Sequence, residues 1–223
     1  MGVAVEQAVR RHFDGEADRF DAIYRDEKGL SQKIVDKLFR SVIHQRYAMA
    51  LQWCGDLKGK RVLDVGSGSG RYAVEMARRG ADVVGLDFAP SMVEMSQKAA
   101  AEAGVADSCR FEAVDFLEWC APHHFDICLG IGFFDYTADP HQFLARMAEM
   151  TQERGIFSFP MRWRLRTPTR WLRLRLRGCP VYFYDEGQVK TVVDASGWGG
   201  TRIERLSRDY LVNVQSGCAA QNG

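Results

Sequence analysis

The chain has 223 residues, 46% of them hydrophobic, and a formal net charge of +1. This length can bury a substantial core in one α/β domain, and the near-neutral charge argues against a nucleic-acid partner. Six cysteines without a C-x-x-C pair predict reduced thiols and no metal site. No signal peptide or membrane-length apolar run is present, which predicts a soluble, cytoplasmic protein.

The N-terminal segment, residues 1–55, is predicted to be helical. Apolar residues recur with helical spacing from Ile34 to Ile43, and Gly55 ends the pattern. This segment is expected to cover the sheet that follows it. Its histidines and tyrosines are either part of that cover or functional groups, and His44 is the one selected as a candidate base.

A glycine-rich turn follows the first predicted strand, Val62–Val65. Glycines at 66, 68 and 70 precede a helix that begins at Arg71, the arrangement of a nucleotide-binding βα unit. The third glycine comes one residue earlier than in G-x-G-x-x-G, and Asp64 lies inside the strand. The spacing therefore disfavours a nicotinamide-dependent reductase.

Strands and helices alternate along the rest of the chain. Strands are predicted at 81–87, 108–113, 125–130 and 155–159, and helices at 90–103, 140–150 and 186–195. Residues 201–206 and 210–214 are close enough to form only an antiparallel hairpin. The pattern predicts a single domain with a doubly wound, mostly parallel seven-stranded sheet that ends in this hairpin.

The sequence DVGSGSG at residues 64–70 resembles motif I of the class I S-adenosylmethionine (SAM) methyltransferases. The resemblance covers about residues 13–215 and is most specific over 61–136. It is nearest to the small-molecule enzymes that include the ubiquinone/menaquinone C-methyltransferases and the magnesium-protoporphyrin O-methyltransferases. It implies SAM as cofactor and divides the chain into a helical lid (1–55), a cofactor-binding core (56–160), an acceptor-side insertion (161–180) and a C-terminal helix with hairpin (181–215).

The resemblance also implies roles for individual residues. Asp64 would pair with the SAM ammonium group, although it could instead cap its own turn. Asp87 ends the second strand, where its carboxylate can accept hydrogen bonds from both ribose hydroxyls. Asp115 would accept from the adenine amino group, and its structural alternative is a helix N-cap. The other cofactor-binding residues implied are Gly66, Ser67, Gly68, Phe88, Met92, Phe116, Gly130 and, from the lid, Tyr24.

The segment after the fourth strand should line the acceptor side. It lacks the Asn/Asp-Pro-Pro-Tyr/Phe tetrapeptide of enzymes that methylate exocyclic amines of DNA bases. Asp135 and Tyr136, together with His44, are the candidates for a general base or an acceptor-orienting group, and Phe133 is a candidate for acceptor binding.

The segment from Arg162 to Arg177 contains seven arginines and no acidic residue. Insertions after the fifth strand often form a wall of the acceptor pocket in this family, so Arg164 and Arg166 are predicted to bind substrate. The alternatives are attachment to an anionic membrane surface and a solvated helix whose leucines pack on the sheet.

The sequence therefore predicts methyl transfer from SAM to a small molecule, anionic or lipophilic, by in-line displacement. It does not distinguish oxygen, nitrogen and carbon acceptors, and it leaves the oligomeric state open. The alternative function is a non-catalytic SAM-binding module that docks on a partner or a membrane through the arginine-rich helix.

Overall fold

The structure, a computed structural model, describes residues 44–162 and 181–217. Most of the predicted lid, with Tyr24, lies outside the described residues. So does nearly all of the arginine-rich insertion, with Arg164 and Arg166.

Seven strands form one sheet in the order β3-β2-β1-β4-β5-β7-β6. Strands β1 to β5 are parallel, and β7 runs antiparallel to both β5 and β6. The prediction of a doubly wound sheet that ends in an antiparallel hairpin is confirmed. The strands are β1 (Arg61–Val65), β2 (Asp82–Asp87), β3 (Cys109–Ala113), β4 (Phe125–Gly130), β5 (Thr151–Pro160), β6 (Trp198–Arg205) and β7 (Asp209–Ser216).

The helices follow their sequence signals closely. Residues 44–54 are helical (α1), and Gly55 follows with a φ of 73°. A proline stands at the start of the helices that begin at residues 90 and 140, where its missing N–H costs nothing. The remaining helices are α2 (Arg71–Arg78), α3 (Pro90–Glu102), α4 (Pro140–Glu149) and α5 (Glu186–Asp194), with a short 3-10 helix at Ala106–Ser108.

Two strands begin several residues earlier than the sequence pattern predicts. Strand β5 begins at Thr151 rather than at 155, because β4 and β7 provide pairing partners for this polar stretch. Strand β6 begins at Trp198 and passes through Gly199 and Gly200, with a register shift between Gly199 and Arg202. Neighbouring strands supplied a preference that the local sequence does not carry.

The core consists of one apolar layer on each face of the sheet. Val62 contributes to the layer shared with α1, α2 and α3, whereas Leu63 contributes to the layer shared with α4 and α5. This alternation follows from the period of two in a strand. Within the described residues, the helices lack the length and apolar character that crossing a bilayer requires.

Candidate active site

The carboxyl ends of β1 and β2 meet at the glycine-rich turn. The backbone N–H groups of Gly66 and Ser67 donate to the Leu86 carbonyl oxygen at 2.8 and 3.0 Å, which ties the turn to β2. Gly68 has a φ of 53°, and apart from residues 67–69 themselves no atom of the described residues lies within 4 Å of the position that a Cβ would take there. The turn therefore borders open space that a side chain at residue 68 would enter.

Two buried polar atoms lie beside this turn. Asp64 is only 2% exposed, and neither its Oδ2 nor the Oγ of Ser67 has a hydrogen-bond partner among the described residues. Burial, reinforced by the negative charge of Asp87, raises the pKa of Asp64 to about 7. A buried carboxylate and hydroxyl without partners are costly, and a ligand that carries a cation would satisfy both.

The Asp87 carboxylate is held rigidly at the end of β2. It accepts hydrogen bonds from the backbone N–H of Gly68 at 3.0 Å and from that of Ala89 at 2.9 Å. The side chain is thereby fixed beside the open space at the glycine turn. Its role toward a ribose stays a prediction, which this placement favours.

Asp115 caps a turn and not a helix, because residues 116–118 form a turn and the described residues between β3 and β4 include no helix. Its Oδ1 accepts from the Leu117 backbone N–H at 2.9 Å, and its carbonyl oxygen accepts from two further backbone amides. The Phe116 ring is buried and stacks on Phe143 with ring centroids 6.2 Å apart, so only its backbone is left to meet a cofactor. The adenine roles of both residues stay predictions.

The other cofactor candidates differ in exposure. Phe88 is half-buried, and Met92 is buried on α3. Gly130 has a packing reason for its identity, since a Cβ there would lie 3.2 Å from Phe134 and 3.3 Å from Phe157. Its predicted proximity to the methionyl amine stays untested.

Phe133 connects the glycine turn to the segment after β4. Its Cδ2 lies 2.8 Å from the position that a Cβ on Gly66 would take, so any side chain at 66 would collide with the ring. The ring also packs edge-on against Phe134 and Phe143, with centroid distances of 5.2 and 5.1 Å. Phe133 thus packs against the glycine turn at Gly66.

The candidate bases are in different surroundings. Asp135 is 6% exposed, and its carbonyl oxygen accepts from the Tyr182 backbone N–H at 2.9 Å. Tyr136 is half-buried and its backbone N–H donates to the Phe133 carbonyl oxygen. His44 is exposed on α1. Their catalytic roles stay predictions.

The structure brings to this edge a cation that sequence reasoning missed. Arg46, two residues after His44, donates from Nη1 to Asp209 Oδ2 at 2.8 Å, and it also hydrogen-bonds to Tyr72. Burial alone would lower the pKa of Arg46, but the charges of Asp209 and Asp135 and the contact with Tyr72 raise it. Nothing local distinguishes this arginine from the others, because its partner is 163 residues away.

Comparison with known proteins gives a family match for the central part of the chain. Residues 56–164 match the model of a methyltransferase domain. The chain is 36% identical over 117 residues to a ubiquinone biosynthesis O-methyltransferase of Azorhizobium caulinodans. That match covers 52% of this chain and 46% of the relative, so the chain spans about half the length of this curated relative.

Solved structures share the fold over nearly the whole chain. Magnesium protoporphyrin IX methyltransferase from Synechocystis PCC 6803, with bound S-adenosylhomocysteine, has a TM-score of 0.76 at 21% identity, covering 94% of this chain and 98% of that one. The [4+2]-cyclase SpnF has a TM-score of 0.72 at 14% identity, covering 93% and 95%. At these identities the likeness concerns the fold. Residues 56–164 are thus similar to a methyltransferase domain, and the chain shares the fold of a solved methyltransferase.

Proposed function

We propose that the protein transfers the methyl group of SAM to an oxygen atom of a small-molecule acceptor. The observation that carries the proposal is the pair of buried, partnerless atoms, Asp64 Oδ2 and Ser67 Oγ, beside the open space at Gly68. A cationic, amino-acid-like ligand at the carboxyl edge of the sheet would supply the missing partners.

Each polar part of the cofactor would find a partner among the predicted residues. Asp64 would bind the ammonium group, Asp87 the ribose hydroxyls, and Asp115 the adenine amino group with the Phe116 N–H. When bound, SAM supplies a methyl group already activated on a sulfonium. The chain's residues then have to hold the cofactor and orient the acceptor, which contributes much of the rate.

The acceptor would lie over β4 and the segment after it. Phe133 would pack on an apolar part of the acceptor, while Asp135 or Tyr136 would orient its hydroxyl group and take the proton that leaves when oxygen attacks. An oxygen acceptor is favoured by the O-methyltransferase names of the curated relatives. The arginine-rich insertion would form a further wall of this region.

The first test is calorimetric titration with SAM, S-adenosylhomocysteine and NADH in parallel. We expect micromolar affinity for both sulfur ligands and none for NADH. Formation of S-adenosylhomocysteine from SAM in a filtered low-molecular-mass metabolite extract would then demonstrate transfer. Binding of NADH without binding of either sulfur ligand would contradict the proposal.

A second candidate is a SAM-binding protein that does not transfer the methyl group. The observation that favours it is the likeness to a structure described as a [4+2]-cyclase, so this fold is not restricted to methyl transfer. Cofactor binding is common to both candidates. Methyl turnover in the extract would exclude the second one, and tight SAM binding without turnover would support it.

A further inference from the structure

Arg146 lies in the last turn of α4 and reaches the connection between β3 and β4. Its Nε donates to the Phe116 carbonyl oxygen at 3.3 Å, and its Nη2 donates to the Trp119 carbonyl oxygen. The guanidinium carbon also lies 6.0 Å from the centre of the Phe116 ring. One half-buried cation thus holds two main-chain carbonyl groups of the same short turn, residues 115–119.

These contacts differ from those that a basic residue at a helix end usually makes. Such a residue commonly binds the last carbonyl groups of its own helix. Arg146 instead binds carbonyl groups 30 and 27 residues earlier in the chain. Phe143, three residues before Arg146 and therefore on the same face of α4, stacks on the Phe116 ring. Helix α4 thus supports the turn through one ring and one guanidinium.

Asp115 closes the turn from within. Its carbonyl oxygen accepts from the backbone N–H groups of Glu118 and Trp119 at 3.1 and 3.0 Å. In a planar trans peptide the N–H group points in the direction opposite to the carbonyl group. Because the Asp115 carbonyl group points into the turn, the N–H group of Phe116 points away from it.

The next peptide group links the Asp115 side chain to Arg146. The N–H group of Leu117 donates to Asp115 Oδ1 at 2.9 Å, and the carbonyl oxygen of the same peptide group, that of Phe116, accepts from Arg146. The carboxylate and the guanidinium therefore hold this peptide group from opposite sides. A change at residue 146 would alter the position of the carboxylate without touching it.

The turn lies beside the predicted cofactor site. It follows β3, and the Val114 N–H group donates to the Asp87 carbonyl oxygen at 3.0 Å, so the turn begins next to the residue assigned to the ribose. A nucleobase attached to that ribose would lie within reach of residues 115 and 116.

We propose that Arg146 is a positioning residue that sets the choice of nucleobase in the cofactor. It holds the turn so that the Phe116 N–H group donates to a ring nitrogen and the Asp115 carboxylate accepts from the neighbouring amino group. The inference rests on the proposed function and assigns part of its cofactor specificity to a side chain that does not contact the cofactor.

A hypoxanthine base reverses both partners. It has an oxo group where adenine has its amino group, and an N–H group where adenine has an accepting ring nitrogen. An oxygen would then face the Asp115 carboxylate, and two N–H groups would face each other at Phe116. A turn held in place would reject this base, whereas a turn free to shift would tolerate it.

The test measures, by calorimetry on the full chain, the dissociation constants of S-inosylhomocysteine and S-adenosylhomocysteine. Wild type should prefer the adenine ligand by roughly a hundredfold, because two hydrogen bonds are lost with hypoxanthine. Arg146→Gln should lower this preference to roughly tenfold or less. Arg146→Lys, which can bind one carbonyl group, should give an intermediate preference.

Arg154→Gln is the matched control. Arg154 also donates from its guanidinium to a main-chain carbonyl oxygen, that of Trp53, at 2.9 Å. This variant should keep the wild-type preference. Partial unfolding weakens the binding of both ligands by the same factor, so a loss of stability alone does not change the ratio of the two constants.

An unchanged ratio in Arg146→Gln, or an equal decrease in Arg154→Gln, would overturn the inference. If Arg146→Gln does not fold, a wild-type ratio in Arg146→Lys would overturn it as well. Equal binding of both ligands by wild type would refute the inference and leave methyl transfer intact. Absence of binding of SAM and S-adenosylhomocysteine would instead refute the proposed function.

Discussion

The surroundings of Asp64 destabilise the ionised form of its carboxyl group. It is fully enclosed at the end of β1, and burial together with Asp87 raises its pKa from 3.8 to about 7. Between these two values the folded protein retains a proton that the unfolded chain has lost. Stability attributable to Asp64 therefore falls as pH rises through this window, by ~1.4 kcal/mol per pH unit.

Asp64→Asn should remove this pH dependence. Relative to wild type, the free energy of unfolding of the variant should increase from pH 4 to pH 7 and then level off, as measured by urea denaturation in the absence of cofactor. Ser67→Ala changes a buried, non-titrating group at the same turn and should shift stability equally at every pH. A constant difference between Asp64→Asn and wild type would contradict the assigned environment.

Asp87 provides a second prediction at this scale. Asp87→Asn keeps one acceptor for the backbone amides of the turn but loses the charge, so SAM affinity should fall by about 1–3 kcal/mol. Calorimetry measures the loss. Asp82→Asn, at the exposed start of the same strand, serves as control. An equal loss of SAM affinity in both variants would contradict the assignment of Asp87 to the cofactor.

In the glycine turn between β1 and α2, the cost of a positive φ can be distinguished from the cost of a steric clash. Gly68 and Gly70 both have positive φ, 53° and 74°. A Cβ on Gly68 would enter open space, whereas one on Gly70 would lie 2.7 Å from the Cβ of Ser96. Gly70 is thus required for packing against α3, whereas Gly68 leaves room beside the turn.

The matched pair Gly68→Ala and Gly70→Ala tests this separation. Gly70→Ala should cost about 2–4 kcal/mol of unfolding free energy, because a strained φ is combined with a clash against a helix. Gly68→Ala should cost only about 1–2 kcal/mol but weaken SAM binding, since its methyl group projects into the cofactor space. Equal affinities for SAM in the two variants would place the cofactor elsewhere.

The elements also show how far a local pattern predicts structure. Helix ends were predicted to within one residue because prolines and glycines mark them, as at Pro90, Pro140 and Gly104. The start of β5 was missed because Glu153 and Arg154 look like a polar loop. Only the pairing with β4 and β7 makes this stretch a strand.

For the molecule as a whole, the contact between Arg46 and Asp209 joins segments separated by 163 residues. A double-mutant cycle with Arg46→Gln and Asp209→Asn should give a coupling energy of about 1–3 kcal/mol in urea unfolding. The pair Lys60 and Glu153, which is about one-third exposed, should give less than about 1 kcal/mol. Coupling no larger than in that pair would show that the Arg46 contact is not maintained in solution.

The sequence predicts the aspartates of the candidate site but not the contact between Arg46 and Asp209, because that contact joins distant segments. Asp64, Asp87 and Asp115 each lie at or near the carboxyl end of a strand, so the parallel topology alone brings them to one edge. Arg46 and Asp209 come from opposite ends of the described chain. Their contact depends on the antiparallel direction of β7. The sequence around either residue contains no pattern that would predict it.

Because β7 is reversed, the residues near Arg46 can be changed separately from those of the glycine turn. A strand parallel to β5 at this position would present its last residue to the ligand-binding edge, but β7 presents its first, directly after the hairpin turn at 206–208. Hairpin turns tolerate changes of sequence and length better than the strands they join. A library confined to residues 207 and 208 would thus vary the surroundings of Arg46, while the buried Leu206, Asp209 and every residue of the glycine turn kept their native identity.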